Sequence, residues 1–243
     1  MLAAGLWGLA AASTLVVGAL IGLFGRISRR YVALVLAFGV GALISAVAFD
    51  LAEEAFRLGG TVTVAIGLGT GALTYYAGDQ LLSRRGGKRR GARVEQVSNN
   101  GLAIVLGALL DGIPESIVLG STLLGGGAIS IPFFFAVAIS NVPEALTAAV
   151  DLRREGHKPG WIIGLWVVVA LVSGLAAGLG FGALGEMGSS SVWVPVIQAF
   201  AAGAILTMLV DTMIPEAFSD GGDLVGLATV LGFAAAFFLN RVS

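Results

Sequence analysis

Long apolar stretches, separated by short polar or basic turns, follow one another along almost the whole chain. A helix crosses a bilayer with about 20 mainly apolar residues, and eight stretches reach that length. We place these helices at about residues 2–24, 31–57, 61–82, 99–124, 130–152, 161–183, 193–217 and 221–240. The pattern predicts an all-α polytopic membrane protein with eight transmembrane helices in one transmembrane domain, 1–243. The first stretch has no basic residues before it, so we count it as a span and not as a signal segment.

Two internal matches predict that the halves of the chain are related. Residues 41–56, on the second predicted helix, align without gaps with residues 203–218 on the seventh, at an offset of 162. An Ile-Pro-Glu triplet at 113–115 on the fourth helix likewise matches Val-Pro-Glu at 142–144 on the fifth. Because even- and odd-numbered helices run in opposite directions, the matches indicate a 3+2+3 inverted repeat, the usual build of secondary transporters.

Composition supports a membrane protein and excludes several kinds of site. Apolar residues make up 57% of the chain and charged residues only 12%, against roughly 25% charged in soluble domains. The chain has no cysteine and a single histidine, His157. Thiolate metal sites, cysteine nucleophiles, histidine-rich metal sites and a Ser-His-Asp triad are therefore excluded.

The basic residues predict the orientation. Twelve of the 14 Lys and Arg residues lie on loops that follow odd-numbered helices, half of them in loop 83–98. Because positive loops stay in the cytoplasm, we expect a multi-pass protein of the plasma (inner) membrane, with both termini extracellular or periplasmic. The basic loop has no interleaved aromatic residues, so no nucleic acid partner is expected and the lipid bilayer is the predicted surroundings.

Carboxylates near the middle of the fourth and fifth helices give the strongest functional signal. Asp111, Glu115 and Glu144 lie there, where a charged side chain costs about 3 kcal/mol or more. Lys and Arg are absent from the middle of every predicted span. The carboxyl groups are therefore either protonated or neutralised by a cation that binds and leaves.

The spacing groups oxygen atoms around these carboxylates. Asp111 and Glu115 are four residues apart and share a helix face, while Ser140 and Asn141 precede Glu144 by four and three residues. The prolines before both glutamates also leave backbone carbonyls without a helical donor. The predicted midplane site, Asp111, Glu115 and Glu144 with Asn141 and Ser140, suits a hard or borderline cation.

Further acidic residues are predicted to line the path. Asp50 and Glu54 lie toward the outer end of the second helix, and Asp211 and Glu216 toward the inner end of the seventh. We expect the first pair at the entrance and the second at the exit. Glu53 is expected to pair with Arg57, one turn later.

These motifs resemble the ZIP family of divalent-metal transporters. The chain has Asp-Gly-Ile-Pro-Glu-Ser at 111–116 and Ser-Asn-Val-Pro-Glu-Ala at 140–145, with Met-Ile-Pro-Glu-Ala at 213–217. The resemblance implies eight spans and inward transport of a divalent metal of the zinc, manganese or iron class, as cargo and without an organic cofactor.

The chain departs from the family pattern in its ligands. The family's helix-4 histidine and asparagine are matched by Asp111 and Gly112, and a helix-6 Glu-Pro is matched by Ala177-Gly178. The resemblance therefore implies one metal site where some members have two. Carboxylate in place of imidazole shifts the preference toward Mn²⁺, Mg²⁺ or Fe²⁺.

Three other functions remain open from the sequence. The protein could move protons or an organic cation, or be a non-transporting scaffold or sensor. An intramembrane aspartyl protease is a remote alternative, because its Gly-x-Gly-Asp and Tyr-Asp motifs are missing; we expect a transporter and not an enzyme. Glycines 174, 178 and 182 allow close helix packing, either within the chain or in a homodimer.

Overall fold

The computed structural model describes residues 1–84, 101–125, 128–186 and 193–242, and regular structure in these ranges is entirely helical. The helices are α1 (Leu2–Phe24), α2 (Arg29–Ala46), α3 (Glu53–Arg84), α4 (Gly101–Thr122), α5 (Ile131–Arg154), α6 (Pro159–Glu186), α7 (Trp193–Met208), α8 (Ile214–Gly221) and α9 (Val225–Val242). The short elements are two π-helical segments, Val47–Ala52 and Leu209–Met213, and two 3₁₀ turns, Leu123–Gly125 and Gly222–Leu224. The predicted basic loop 83–98 lies almost wholly outside the described residues.

The described residues hold five helical stretches long and apolar enough to cross a membrane. Three of them, α1, α5 and α6, are single helices of 23, 24 and 28 residues. The other two, Arg29–Leu81 and Trp193–Val242, have 53 and 50 residues. A straight helix of 50 residues is about 75 Å long, against about 30 Å for the hydrocarbon core. The all-α polytopic membrane fold is confirmed, and the count of eight spans stays a prediction.

Each of these two long stretches is broken at a glycine. Gly60 has a φ of 73° and Gly222 a φ of 65°, a region that glycine adopts without the steric cost other residues meet. The two glycines are 162 residues apart, which is the offset of the sequence match. The two π-helical segments begin at Val47 and Leu209, again 162 residues apart. The repeat is therefore present in the backbone as well as in the sequence.

Helices of one half pack against helices of the other. α2 packs on α9, and α7 packs on α3. In each contact two glycines allow backbone to meet backbone: Gly41 on Thr229 and Gly232 on Phe38 in the first, Gly203 on Leu68 and Gly71 on Phe200 in the second. An offset of 162 residues relates Gly41 to Gly203 and Phe38 to Phe200. An offset of 161 relates Leu68 to Thr229 and Gly71 to Gly232. The two helix contacts are therefore equivalent.

The remaining four helices repeat this relation around α4 and α5. Gly22 of α1 packs on the backbone of Leu146 in α5, and Gly180 of α6 packs on Ile117 in α4. Leu146 and Ile117 are 29 residues apart, the offset of the two Pro-Glu motifs. A pseudo-twofold axis thus exchanges α1 with α6 and α5 with α4, as the 3+2+3 arrangement predicts.

The glycine stripe of α6 packs within the chain. A Cβ atom added to Gly174 or Gly178 would meet the backbone of Gly5 in α1, and one added to Gly182 would meet Met1. Of the two roles left open for these glycines, the structure therefore shows the intramolecular one.

Candidate functional site

The two uncharged residues of the predicted site, Asn141 and Ser140, lie on α5 next to α1 and α2. Asn141 is 5% exposed, and its Nδ2 donates to the backbone oxygen of Ala11 in α1 at 3.2 Å. Ser140 is buried, and its Oγ donates to the backbone oxygen of Val137 at 3.0 Å. The Ser140 hydroxyl uses its donor in this way, one N–H of Asn141 is used, and both side chains keep oxygen lone pairs, which suits a cation.

α2 approaches α5 closely at this turn. A Cβ atom on Gly39 would lie 3.0 Å from Cα of Ser140. A larger residue at position 39 would crowd the backbone of α5. The glycine thus keeps the two helices in direct contact beside the candidate ligands.

The two glutamates occupy equivalent positions on proline-containing helices. Glu115 is 4% exposed and Glu144 is half-buried. Pro114 and Pro143 lie inside α4 and α5 immediately before them, and a proline removes one helical hydrogen bond. Each glutamate therefore follows a locally weakened helical turn within the apolar bundle.

The side chain of Asp111 lies outside the described part of α4. Among the described residues, which leave that side chain out, His, Asp and Glu side chains form no group of three that could hold a metal ion. The site of Asp111, Glu115 and Glu144 stays a prediction.

Ser173 is a residue near the site that the sequence did not single out as a candidate. It is 1% exposed on α6, and its Oγ lies 3.4 Å from where a Cβ atom on Gly112 would be. Gly112 is the pseudo-twofold equivalent of Asn141. In α4 the hydroxyl of a neighbouring helix thus lies beside the position at which α5 has a side chain of its own, a relation that only the repeat could have signalled.

Asp50 joins three elements. It lies in the first π-helical segment, and its Oδ1 accepts a hydrogen bond from Nδ2 of Asn240 in α9 at 2.8 Å. Its Oδ2 is buried and has no hydrogen-bond partner among the described residues. The side chain of Ser130, at the start of α5, lies beside the same carboxyl group. The sequence analysis placed Asp50 toward the outer end of the second predicted helix, but it did not predict that Asn240 and Ser130 would lie beside it.

The expected pairing of Glu53 with Arg57 is wrong. Nη2 of Arg57 contacts Oε2 of Glu54 at 2.6 Å, and Glu53 is exposed. The partner three residues away and the partner four residues away are both within reach on a helix. Arg57 pairs with the inward, half-buried carboxylate, because that one gains more from neutralisation than the solvated one.

The acids of the second half have a different setting. Asp211 is half-buried in the second π-helical segment, and Glu216 is half-buried in α8. Glu216 is the repeat equivalent of Glu54, and Ser219 stands where the first half has Arg57.

A comparison with models of protein families identifies the family of this chain. A family model of the ZIP zinc transporters matches residues 78–240, which include both Pro-Glu helices and the whole second half. The chain belongs to the ZIP zinc transporter family. The resemblance carried by the three Pro-Glu motifs is thereby confirmed.

A curated relative of this ZIP chain is the Arabidopsis thaliana protein named "Putative zinc transporter At3g08650". The two are 26% identical over 223 residues, which cover 88% of this chain and 34% of the relative. The chain therefore spans about a third of the length of the curated relative it matches.

Proposed function

We propose that this chain transports a divalent metal cation of the zinc, manganese or iron class across the membrane, inward. One observation carries the proposal: buried Glu115 and half-buried Glu144 follow helix-weakening prolines at equivalent points of an inverted repeat, in a member of a metal-transporter family. The cargo binds midway through the membrane between α4 and α5.

The binding group is Asp111, Glu115 and Glu144, assisted by Asn141 and Ser140. Carboxylates in an apolar bundle need a counter-charge, and the middles of the predicted spans supply no Lys or Arg. The cargo itself provides that charge. An all-oxygen ligand set without histidine favours Mn²⁺ or Fe²⁺ more than a histidine site would.

Acidic residues at the two ends guide the ion. Asp50 and Glu54 attract it at the outer end, and Asp211 and Glu216 receive it at the inner end. Glu54 already pairs with Arg57, so Asp50 has the stronger attraction of the first pair. Movement of the inverted halves against each other exposes the site to one side at a time.

The orientation follows from the charges at the two ends of the bundle. α2 begins with Arg29 and Arg30, and α5 ends with Arg153 and Arg154. Asp50, Ser130 and Asn240 meet at the opposite ends of these helices. The arginine end faces the cytoplasm of a plasma (inner) membrane, and both termini lie outside.

Uptake into proteoliposomes tests this function. Wild-type protein should give saturable uptake of Zn²⁺, Mn²⁺ or Fe²⁺, and Glu144→Gln should abolish it while inserting normally. Glu155→Gln, in the loop after α5, is the matched control and should transport like wild type. If protons or an organic cation are transported, and metal ions are neither transported nor compete with that transport, the proposal is overturned in favour of a proton or organic-cation carrier. Absence of every flux would favour a non-transporting scaffold or sensor.

A further inference from the structure

Besides Asp50, a polar side chain of α7 is buried without a hydrogen-bond partner among the described residues. Gln198 is 5% exposed, and its Oε1 is buried with no hydrogen-bond partner among the described residues. More than nine in ten buried polar groups in proteins are hydrogen-bonded, and an exception requires an explanation such as a bound ion. A carboxamide oxygen is a metal ligand as well as a hydrogen-bond acceptor.

α2 is the repeat equivalent of α7, so the contact between α2 and α5 indicates what α7 faces in the other half. Gly39 meets Ser140, while Asp50, in the π-helical segment that continues α2, lies beside Ser130, which precedes α5. The two helices are therefore antiparallel. Leu36, one turn before Gly39, consequently faces the turn of α5 that holds Glu144.

The pseudo-twofold axis transfers this contact to the other half. An offset of 162 takes Leu36 to Gln198, and an offset of 29 takes Glu144 to Glu115. α7 and α4 pack together, as α5 and α2 do. By this equivalence, Gln198 is expected on the side of α7 that faces the turn of α4 carrying Glu115. Where the first half presents an apolar side chain to its glutamate, the second half presents a carboxamide.

A contact of α7 places Gln198 near the break of the chain at Gly60. Pro195, one turn earlier on α7, packs against Gly59, which follows the segment that carries Asp50. Gln198 therefore lies one turn further into the bundle than that contact.

We propose that Gln198 is a further cation-binding residue of the transport path, whose carboxamide oxygen coordinates the divalent ion as it passes between the outer end and Glu115. The assignment rests on the proposed function. A neutral oxygen holds the ion less tightly than a carboxylate, so the ion can move on to the midplane site.

Kinetics of metal uptake in proteoliposomes test the assignment. Gln198→Met keeps the length of the side chain and removes the oxygen, so KM for the transported metal should rise about tenfold, the effect of one lost polar contact to a charge. The maximal rate should change less than KM. Gln198→Glu keeps an oxygen and adds charge, so its KM should lie below that of wild type.

Trp166→Phe is the matched control, because it removes another buried polar atom without a hydrogen-bond partner among the described residues. Nε1 of Trp166 lies in an apolar cluster with Leu15 and Ala149, and an N–H group cannot bind a cation. Its KM should equal that of wild type.

Several outcomes separate the claims. A wild-type KM in Gln198→Met, or an equal rise in Trp166→Phe, would overturn the assignment of Gln198 and leave the proposed function intact. If Gln198→Met does not insert, an unchanged KM in Gln198→Glu would overturn it equally. Absence of metal uptake by the wild type would overturn the proposed function, and the assignment with it.

Discussion

α4 and α5 occupy equivalent places in the repeat but have different chemistry. On α5 the site begins with Ser140 and Asn141, and Asn141 is hydrogen-bonded to α1. On α4 the equivalent positions are Asp111 and Gly112, and the hydroxyl of Ser173 lies at contact distance, 3.4 Å, from where a Cβ atom on Gly112 would be. The repeat therefore sets the positions of the helices, and the side chains on each copy set the charge. In the proposed metal site, α5 supplies neutral, fixed oxygens and α4 supplies the additional negative charge.

The two glutamates are the strongest test of this equivalence. Glu115→Gln and Glu144→Gln should each lower metal uptake by about a hundredfold or more, since each removes a charged ligand from a poorly solvated site. Initial rates of uptake, normalised to inserted protein, measure the effect. If one of the variants keeps more than half of the wild-type rate, the two helices do not share the site.

The glycine contacts test whether the two halves are built alike. Gly41→Ala and Gly203→Ala each force a methyl group onto the backbone of a partner helix, which typically costs about 1–3 kcal/mol. Thermal unfolding in detergent should show a similar fall in Tm for both. Gly226→Ala is the control, because that position faces open space, and its Tm should not fall. Unequal falls for the first two variants would argue against equivalent packing.

The neutral ligands on α5 should have a smaller effect. Asn141→Ala removes the hydrogen bond to Ala11 and one candidate ligand, so stability should fall by about 1 kcal/mol and the affinity for metal should fall with it. Gly112→Ala, at the equivalent position of α4, places its methyl group at ordinary contact distance from Ser173 and should leave both unchanged. Equal losses in the two variants would show that Asn141 acts through packing alone.

The ion pair of the first half should matter least. The side chain of Arg57 is 74% exposed, and exposed pairs contribute about 0–1 kcal/mol. Arg57→Ala should therefore change metal uptake less than about twofold in physiological salt. A large loss of uptake would show that Arg57 itself takes part in the transport path, and not only Glu54.

The helical membrane fold was predictable because long apolar stretches carry a strong and redundant signal. The break at Gly60 was predicted as a turn, whereas the break at Gly222 lies at the second residue of a predicted helix, and the matching φ values of the two glycines were not predictable. The two π-helical segments have no distinct hydrophobic period, so the sequence did not indicate them. Residues far apart in the chain, such as Asp50 and Asn240, could not be paired because periodicity says nothing about which helices become neighbours.

The candidate site was only partly predictable for the same reason. A carboxylate such as Glu115 in the middle of an apolar helix is conspicuous, and the structure buries it. Gln198 and Ser173 are single neutral residues in apolar helices, where they produce no pattern. Their interest arises only from their neighbours in the folded chain. The choice between Glu53 and Glu54 as partner of Arg57 likewise depended on which carboxylate faces inward.

The occupancy of the midplane site is the most direct test of metal binding between α4 and α5. Purified wild-type protein and the double variant Glu115→Gln/Glu144→Gln would be dialysed against Zn²⁺, Mn²⁺ or Fe²⁺ and the bound metal counted by mass spectrometry, with Tm measured in parallel. We expect at least one of these metals to bind the wild type, at about one ion per chain, and to raise its Tm, and we expect the double variant to lose both effects. Equal occupancy and an equal rise in Tm in the two proteins would contradict a metal site built on these glutamates.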